Sequence, residues 1–425
     1  MVDVVILEGI RTPFRISGGA LGDISAVDLG KIVLRELLER VELPPNEIDE
    51  VIWGYSRLPS ESGDLARIIA RKARVGFKVP TYTVQRKGAA GLQAVMSAFH
   101  EIVSENAVTA IAGAVAWQPA AGVLAEPAFA GDVRASHQST RLATRFRPLR
   151  RAFRHPFDAS AGSYRTGSMD PQILAAVEHL AQSSRISRQA QDEYAALSHH
   201  RAMRAISAGY FKSEIVPLFH PEKAYLPVDS DEALESPATP ELLESLPPLL
   251  DQPGSTVTSG NIAPVSDGAA AVLLMNAVRA RELGIPPLGR IRLCAFTGVQ
   301  PADSAISAAH AAARVLRQGN MTLRDVDLIE MNEPSAAEVL ANERCFLERK
   351  LSQQRFGDAR LFERYDRDKL NPNGGGIAIG LPPGVAGTRM IINALKEMKR
   401  RNLEIALVAM SSGNGQGGAM ILERV

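Results

Sequence analysis

Along the first 115 residues, apolar runs of strand length alternate with stretches in which apolar residues recur every three or four positions. Residues 2–8 (VDVVILE) read as a buried strand, which Arg11-Thr12-Pro13 breaks. From Ile24, SAVDLGKIVLRELLERV carries helical spacing, with Ser25 and Asp28 near its start as capping residues, and Leu43-Pro44-Pro45 stops it. Residues 50–55 (EVIWGY) form a second strand, 62–74 a helix, and 82–86 a strand that leads into Lys87-Gly88-Ala89-Ala90. A helix then runs to about Ser104, and 107–115 is an apolar strand. Uninterrupted apolar strands alternating with helices predict a mostly parallel sheet covered on both faces.

The same rhythm returns near the C-terminus. A helical stretch at 307–317 is followed by LRDVDLIEM from Leu323, which repeats the helix-loop-strand order of PNEIDEVIW from Pro45. Then come Asn371-Pro372-Asn373 with three glycines, a helix at about 387–400, and an apolar strand at 404–410. Each half therefore places a glycine turn ahead of a helix that leads to an apolar strand. Two such units are expected to pack face to face, their glycine turns meeting at a shared cleft. The expected division is 1–117 and 257–284 for the N-terminal half, 285–425 for the C-terminal half, and 118–256 for an inserted loop domain that covers the cleft.

Composition adds limits. A chain of 425 residues exceeds the size of one hydrophobic core, about 250–300 residues. No apolar run reaches the ~20 residues that span a bilayer, and MVDVVILEGIRTP has no basic leader, so the expected location is cytoplasmic. Two cysteines, Cys294 and Cys345, exclude a disulfide framework and a Cys-rich metal site. Net charge of +1 offers no general attraction to nucleic acid. One segment departs from that balance: Arg141, Arg145, Arg147, Arg150, Arg151 and Arg154 lie in a stretch without acidic residues. It reads either as a solvated basic loop or as a contact for phosphate groups or an anionic membrane surface.

A strand that ends in a glycine turn and opens a helix aims free backbone N–H groups outward, where an anion or thiolate is stabilised. The turn at Lys87-Gly88-Ala89-Ala90 has this form and no nucleophile. Together with the duplicated halves, VSDGAAAVLLM from Val265, NEPSAA from Asn332, NGGGIAIGLPPG from Asn373 and GQGGAM from Gly415, it resembles the thiolase family over essentially the whole chain. AVDLGK from Ala26 and the segment 343–370 are most similar to thiolase subunits of fatty-acid oxidation complexes. The resemblance implies a duplicated αβαβα five-layer α/β fold with a loop domain, a homodimer or homotetramer, and acyl-CoA thioesters as ligands without metal or redox cofactor.

It also implies where the chemistry would sit. Thiolases use a cysteine in the elbow, a histidine in a Gly-His-Pro motif and a cysteine in the last glycine-rich loop; the matching positions are Gly88, Leu381 and Ser411. A glycine cannot be acylated, leucine carries no proton, and serine without a base is a weak nucleophile. Asn332 matches the asparagine that helps hold an oxyanion-hole water, with Gly413 as a further backbone donor. The turn near the coenzyme reads Asn261-Ile262-Ala263 in place of Asn-Ala-Ser. Lys87 is the candidate for replacement chemistry of the Schiff-base type. Three expectations follow: an inactive relative that binds acyl-CoA or partners an active subunit; an acyltransferase or aldolase-type enzyme using Lys87 or Ser411; or a scaffold docking on an anionic surface through Arg141–Arg154.

Overall fold

The computed structural model describes residues 2–17, 19, 21, 24–56, 64–117, 171–220, 223–232, 238–363 and 365–425. The arginine cluster, with His137 and His155, lies outside them. Its strands are β1 (Val4–Arg11), β2 (Arg15–Ile16), β3 (Glu50–Tyr55), β4 (Thr81–Val84), β5 (Thr109–Ala116), β6 (Leu218–His220), β7 (Lys223–Val228), β8 (Ser266–Asn276), β9 (Gly289–Gly298), β10 (Leu328–Met331), β11 (Ile405–Gly413) and β12 (Gln416–Glu423). The helices that position the site are α1 (Ala26–Val41), α2 (Leu65–Lys72), α3 (Ala90–Val103), α4 (Pro171–Ser183), α5 (Arg188–Ser207), α6 (Ser307–Gln318), α7 (Ala336–Leu347) and α8 (Ala386–Arg401).

Strand order is β10-β11-β12-β9-β1-β8-β5-β3-β4, with β2 paired to β8 and β6-β7 forming a separate hairpin. The two halves thus meet where β9 pairs with β1, over the short register Val5↔Arg290 and Ile6↔Gly289. The expected parallel sheet is a mixed one. Pairs β3-β4, β3-β5 and β10-β11 are parallel, while β1-β8, β5-β8, β9-β12 and β11-β12 are antiparallel. Apolar continuity reports burial on both faces, and antiparallel strands sandwiched between helices satisfy it equally well.

Alternation along the strands sorts the core into three apolar layers. Trp53, Ile111, Leu273 and Val115 face outward onto α1 and α2, packing with Leu34, Leu37 and Ile69. Ile52, Ala112 and Val272, with Val408 and Met420 of the other half, face a central layer built from α3 and α8, including Leu92, Met390 and Leu395. Leu407, Ala409 and Ile421 face α6 and α7 on the far side, with Ala312, Leu316 and Val339. Helix, sheet, helix, sheet, helix is therefore the order of layers. Contact between α3 and α8 is close: Gly91 N donates to Gly384 O at 2.7 Å, and a Cβ on Gly91 would stand 2.4 Å from Thr388 Oγ1. Only glycine fits there, which is why the elbow helix can lie directly on its counterpart.

Helix starts follow the sequence signals. Ser25 Oγ accepts from Asp28 N at 3.1 Å and opens α1, as read from the pattern.

Candidate active site

The elbow begins where β4 ends. Lys87 takes φ +43°, a left-handed conformation that costs a non-glycine residue about 1 kcal/mol, and one 3-10 turn over Lys87–Ala89 hands the chain to α3. The turn is held from the other half of the molecule. Ser412 Oγ donates to Arg86 O at 2.8 Å and accepts from Ala89 N at 3.3 Å. Arg86 extends its guanidinium over the Phe296 ring, 4.0 Å from the centroid, and donates to Gln416 Oε1 at 2.8 Å. Burial lowers its pKa from the usual guanidinium value. The elbow is thus joined to the end of β11, whereas the repeat paired it with the 371–376 glycine turn, and Ser412 and Arg86, which the sequence did not single out, form the join.

Gly88 sits at this join with room beside it. A Cβ there would meet only the Ser412 backbone, at 3.7 Å from its oxygen and 3.8 Å from its Cα. Gly413, φ +77°, is exposed, and a Cβ there would meet nothing within 4 Å.

Asn332 and Ser411 face each other. Asn332 Oδ1 accepts from Ser411 N at 3.0 Å and Nδ2 donates to Ser411 O at 3.1 Å, so the amide clamps the end of β10 to the end of β11. Ser411 Oγ donates to Ala305 O at 3.0 Å and accepts from Ala308 N at 3.2 Å. That hydroxyl closes the first turn of α6, and among the described residues no base bonds to it. Leu381 is half-buried, packs against both the central and the far apolar layers, and donates its N–H to Pro264 O at 3.0 Å. Lys87 is exposed.

The coenzyme-side candidates turn inward. Asn261 is fully buried: Oδ1 accepts from Thr258 N at 2.9 Å, and Nδ2 donates to Asp192 Oδ1 at 2.9 Å and Thr256 O at 3.1 Å. Its carbonyl accepts from Ala336 N at 2.9 Å, while Ala263 N donates to Pro334 O at 3.0 Å, so this turn is stitched to the start of α7. The Asn261 side chain and the Ala263 backbone hold the turn, and both residues are buried.

Next to Asn332, Glu333 is buried and accepts from Tyr194 Oη at 2.8 Å, Ser198 Oγ at 2.7 Å, Asn371 Nδ2 at 2.7 Å and Ile377 N at 3.2 Å. Four donors satisfy it, so its role is to lock α5 and the glycine loop onto β10. Neither cysteine supplies a thiolate, since burial pushes both thiols up to about 12. Among the described residues no group of three or more His, Cys, Asp or Glu side chains could hold a metal ion, and no helix is long and apolar enough to cross a membrane.

Family models agree with the architecture. The thiolase N-terminal domain matches residues 4–116 and 166–278, and the thiolase C-terminal domain matches 285–424. The chain is 35% identical over 431 residues to a 3-ketoacyl-CoA thiolase of Cronobacter sakazakii, covering all of both chains. It is 34% identical over 442 residues to an acetyl-CoA acetyltransferase of Cupriavidus necator, again over the full length of both. Among solved structures, the Bacillus anthracis acetyl-CoA acetyltransferase superposes with TM-score 0.80 at 30% identity, covering 100% of this chain and 99% of the other. Human mitochondrial 3-ketoacyl-CoA thiolase in complex with CoA gives 0.78 at 27% identity, covering 100% and 98%. With both domains matched in order across nearly every residue, and the layers and glycine turns of the fold in place, the chain belongs to the thiolase family.

Proposed function

We propose that this thiolase-family protein binds an acyl-CoA in the cleft between its halves without thiolase turnover, as a ligand-binding member of acyl-CoA metabolism or a partner of an active subunit. One observation carries the reading: the nucleophile position is a glycine with open space beside it, while the groups that would activate a nucleophile are a packed leucine and a hydroxyl already committed at both lone pair and proton. The cleft is retained and its chemistry is not. A cavity of about 380 Å³ near the Asn261 turn, lined by Leu243, Leu246, Pro264 and Ile377 together with Ser259, His199 and Glu232, adds a hollow of mixed polar and apolar character in which a pantetheine chain would fit. CoA occupies the human mitochondrial neighbour, which supports the same ligand class here. We place residues 118–256 over this cleft as a loop domain, and the protein in the cytoplasm.

The aldolase-type alternative gains little from the geometry, since Lys87 is exposed and Ser411 caps α6. Calorimetric titration with CoA, acetyl-CoA and longer acyl-CoAs tests the proposal. Saturable binding with unchanged ligand is expected; release of free CoA or shortened acyl-CoA would make it an enzyme, and no heat with any ligand would leave the scaffold reading.

The chain is also proposed to work as at least a dimer. β4 ends the strand order and offers its outer backbone edge, with Thr81–Val84 all half-buried. Sedimentation at micromolar concentration is expected to give twice the 45.7 kDa chain mass or a higher multiple, and a monomer there would refute it.

A further inference from the structure

A second cavity, of about 400 Å³, lies outside the cleft. One wall is a single face of α8, where Asn393, Lys396, Glu397 and Arg400 recur at helical spacing. The remainder includes Glu8 of β1, Tyr210 in the turn after α5, and Asn373 of the glycine loop. α8 begins at the elbow, where Gly384 O accepts from Gly91 N and Thr388 approaches Gly91. Its cavity residues follow Thr388 by five to twelve positions, about 8–18 Å along the axis at about 1.5 Å per residue. The hollow therefore sits toward the far end of the helix from the vacated nucleophile position, and among the described residues that line it none belongs to the elbow or to the Asn261 turn.

The floor of the cavity is polar and fixed. Asn373 is 1% exposed, and its Nδ2 donates to Glu397 Oε2 at 3.0 Å and to Asn393 Oδ1 at 3.3 Å. Asn393 Nδ2 donates in turn to Glu330 Oε1 at 2.7 Å. A reversed Asn373 amide would set its oxygen against the Glu397 carboxylate, so the orientation is settled and Oδ1 is the outward acceptor. This oxygen is buried and accepts no hydrogen bond among the described residues. An unpaired buried carbonyl oxygen is costly, and it marks a place for a donor from outside the chain. At the rim the balance is positive. Lys396 Nζ donates to Glu8 at 2.8 Å and to Ser213 O at 2.7 Å. Arg400 Nε donates to Glu397 Oε2 at 2.9 Å, with the guanidinium 3.8 Å from the Tyr210 ring centroid. Both lining carboxylates are thus matched, and the exposed Lys399 is a third cation with no carboxylate among the described residues.

We propose that this cavity is a binding site for a small organic anion carrying hydroxyl groups, its phosphate or carboxylate held by Lys399 and a hydroxyl donating to Asn373 Oδ1. A polyol phosphate or a hydroxy acid has both ends within the reach of a cavity this size. The site is separate from the cleft, so it stands or falls independently of acyl-CoA binding there. The test is calorimetric titration with glycerol phosphate and, as the carboxylate arm, glycerate. Saturable binding of one or both is expected, with a Kd of about 1 mM or tighter, and the tighter of the two names the anion. Inorganic phosphate and glycerol each lack one end and are expected to bind at least about tenfold more weakly. Lys399→Glu, a change at an exposed position, is expected to weaken binding about tenfold or more. Asn373→Ala is expected to level the difference between glycerol phosphate and inorganic phosphate. Should Asn373→Ala fail to fold, because its amide also holds Glu397, Lys399→Glu decides alone. No saturable binding of either probe, equal binding of inorganic phosphate or glycerol, or unchanged affinity in Lys399→Glu would each overturn the assignment.

Discussion

Mixed with CoA and a 3-ketoacyl-CoA, the purified protein is expected to cleave substrate at least ~10⁴-fold more slowly than a thiolase with its nucleophile and acid/base groups in place. The expectation rests on three positions that fail for separate reasons. Gly88 has no atom to acylate. Leu381 is wedged between two apolar layers, where no proton can be exchanged. Ser411 donates to Ala305 O and accepts from Ala308 N, so its hydroxyl holds α6 in place. Gly88→Cys should fold, since its Cβ meets nothing closer than 3.7 Å, and its thiol at the start of α3 should react with iodoacetamide. Turnover should still not appear, because leucine stands at the base position and the Ser411 hydroxyl is committed to Ala305 O and Ala308 N. A rate within about a hundredfold of an active thiolase, in wild type or in Gly88→Cys, would sink this account.

The second large effect concerns stability. Asp231→Ala is expected to cost about 3–5 kcal/mol, read from urea unfolding at pH 7. Arg11 at the end of β1 is wholly buried; its Nε donates to Glu214 at 2.7 Å, and its two terminal nitrogens grip Asp231 at 2.7 and 2.9 Å. Asp231 also accepts from Phe14 N at 2.7 Å, and the guanidinium lies 4.7 Å from the Phe14 ring centroid. Burial pulls the Arg11 pKa down, but the charges of Asp231 and Glu214 carry it above its ordinary value. Removing Asp231 leaves a desolvated cation with one carboxylate partner and the Thr12 carbonyl, and an orphaned Phe14 amide. The loss matters beyond β1, because Glu214 and Asp231 come from the chain between the halves, and this cluster fastens that chain to the sheet. A cost under about 1 kcal/mol would mean water replaces the carboxylate without penalty.

Much of the scaffold could be read from local pattern. Helices at 26–41, 307–318 and 386–401 stand close to where apolar spacing placed them, because each buries one stripe against a sheet. Strand direction was not legible: VTAIAGAV predicts a doubly buried strand, and its antiparallel partner β8 lies more than 150 residues away in the sequence. Of the site, the vacant positions were visible as residue types alone. The roles of the residues that remain were not. Asn332 and Asn261 match motif positions near a ligand, yet Asn332 spends its amide on backbone and Asn261 on backbone and Asp192, and that depends on which groups the fold delivers to them.

By itself, then, the sequence determined the family architecture and the absence of a nucleophile at Gly88, since periodicity reports burial and residue type decides whether a side chain can carry an acyl group or a proton. Tertiary structure decided the rest. Only when the 3-10 turn after β4 packs against the end of β11 does Ser412 join the Gly88 elbow to the second half. Only packing shows that Gly88 keeps free space and that Ser411 is committed to α6. These properties depend on distances between segments more than 200 residues apart in the chain for the elbow and its partner strand, and no local pattern encodes them.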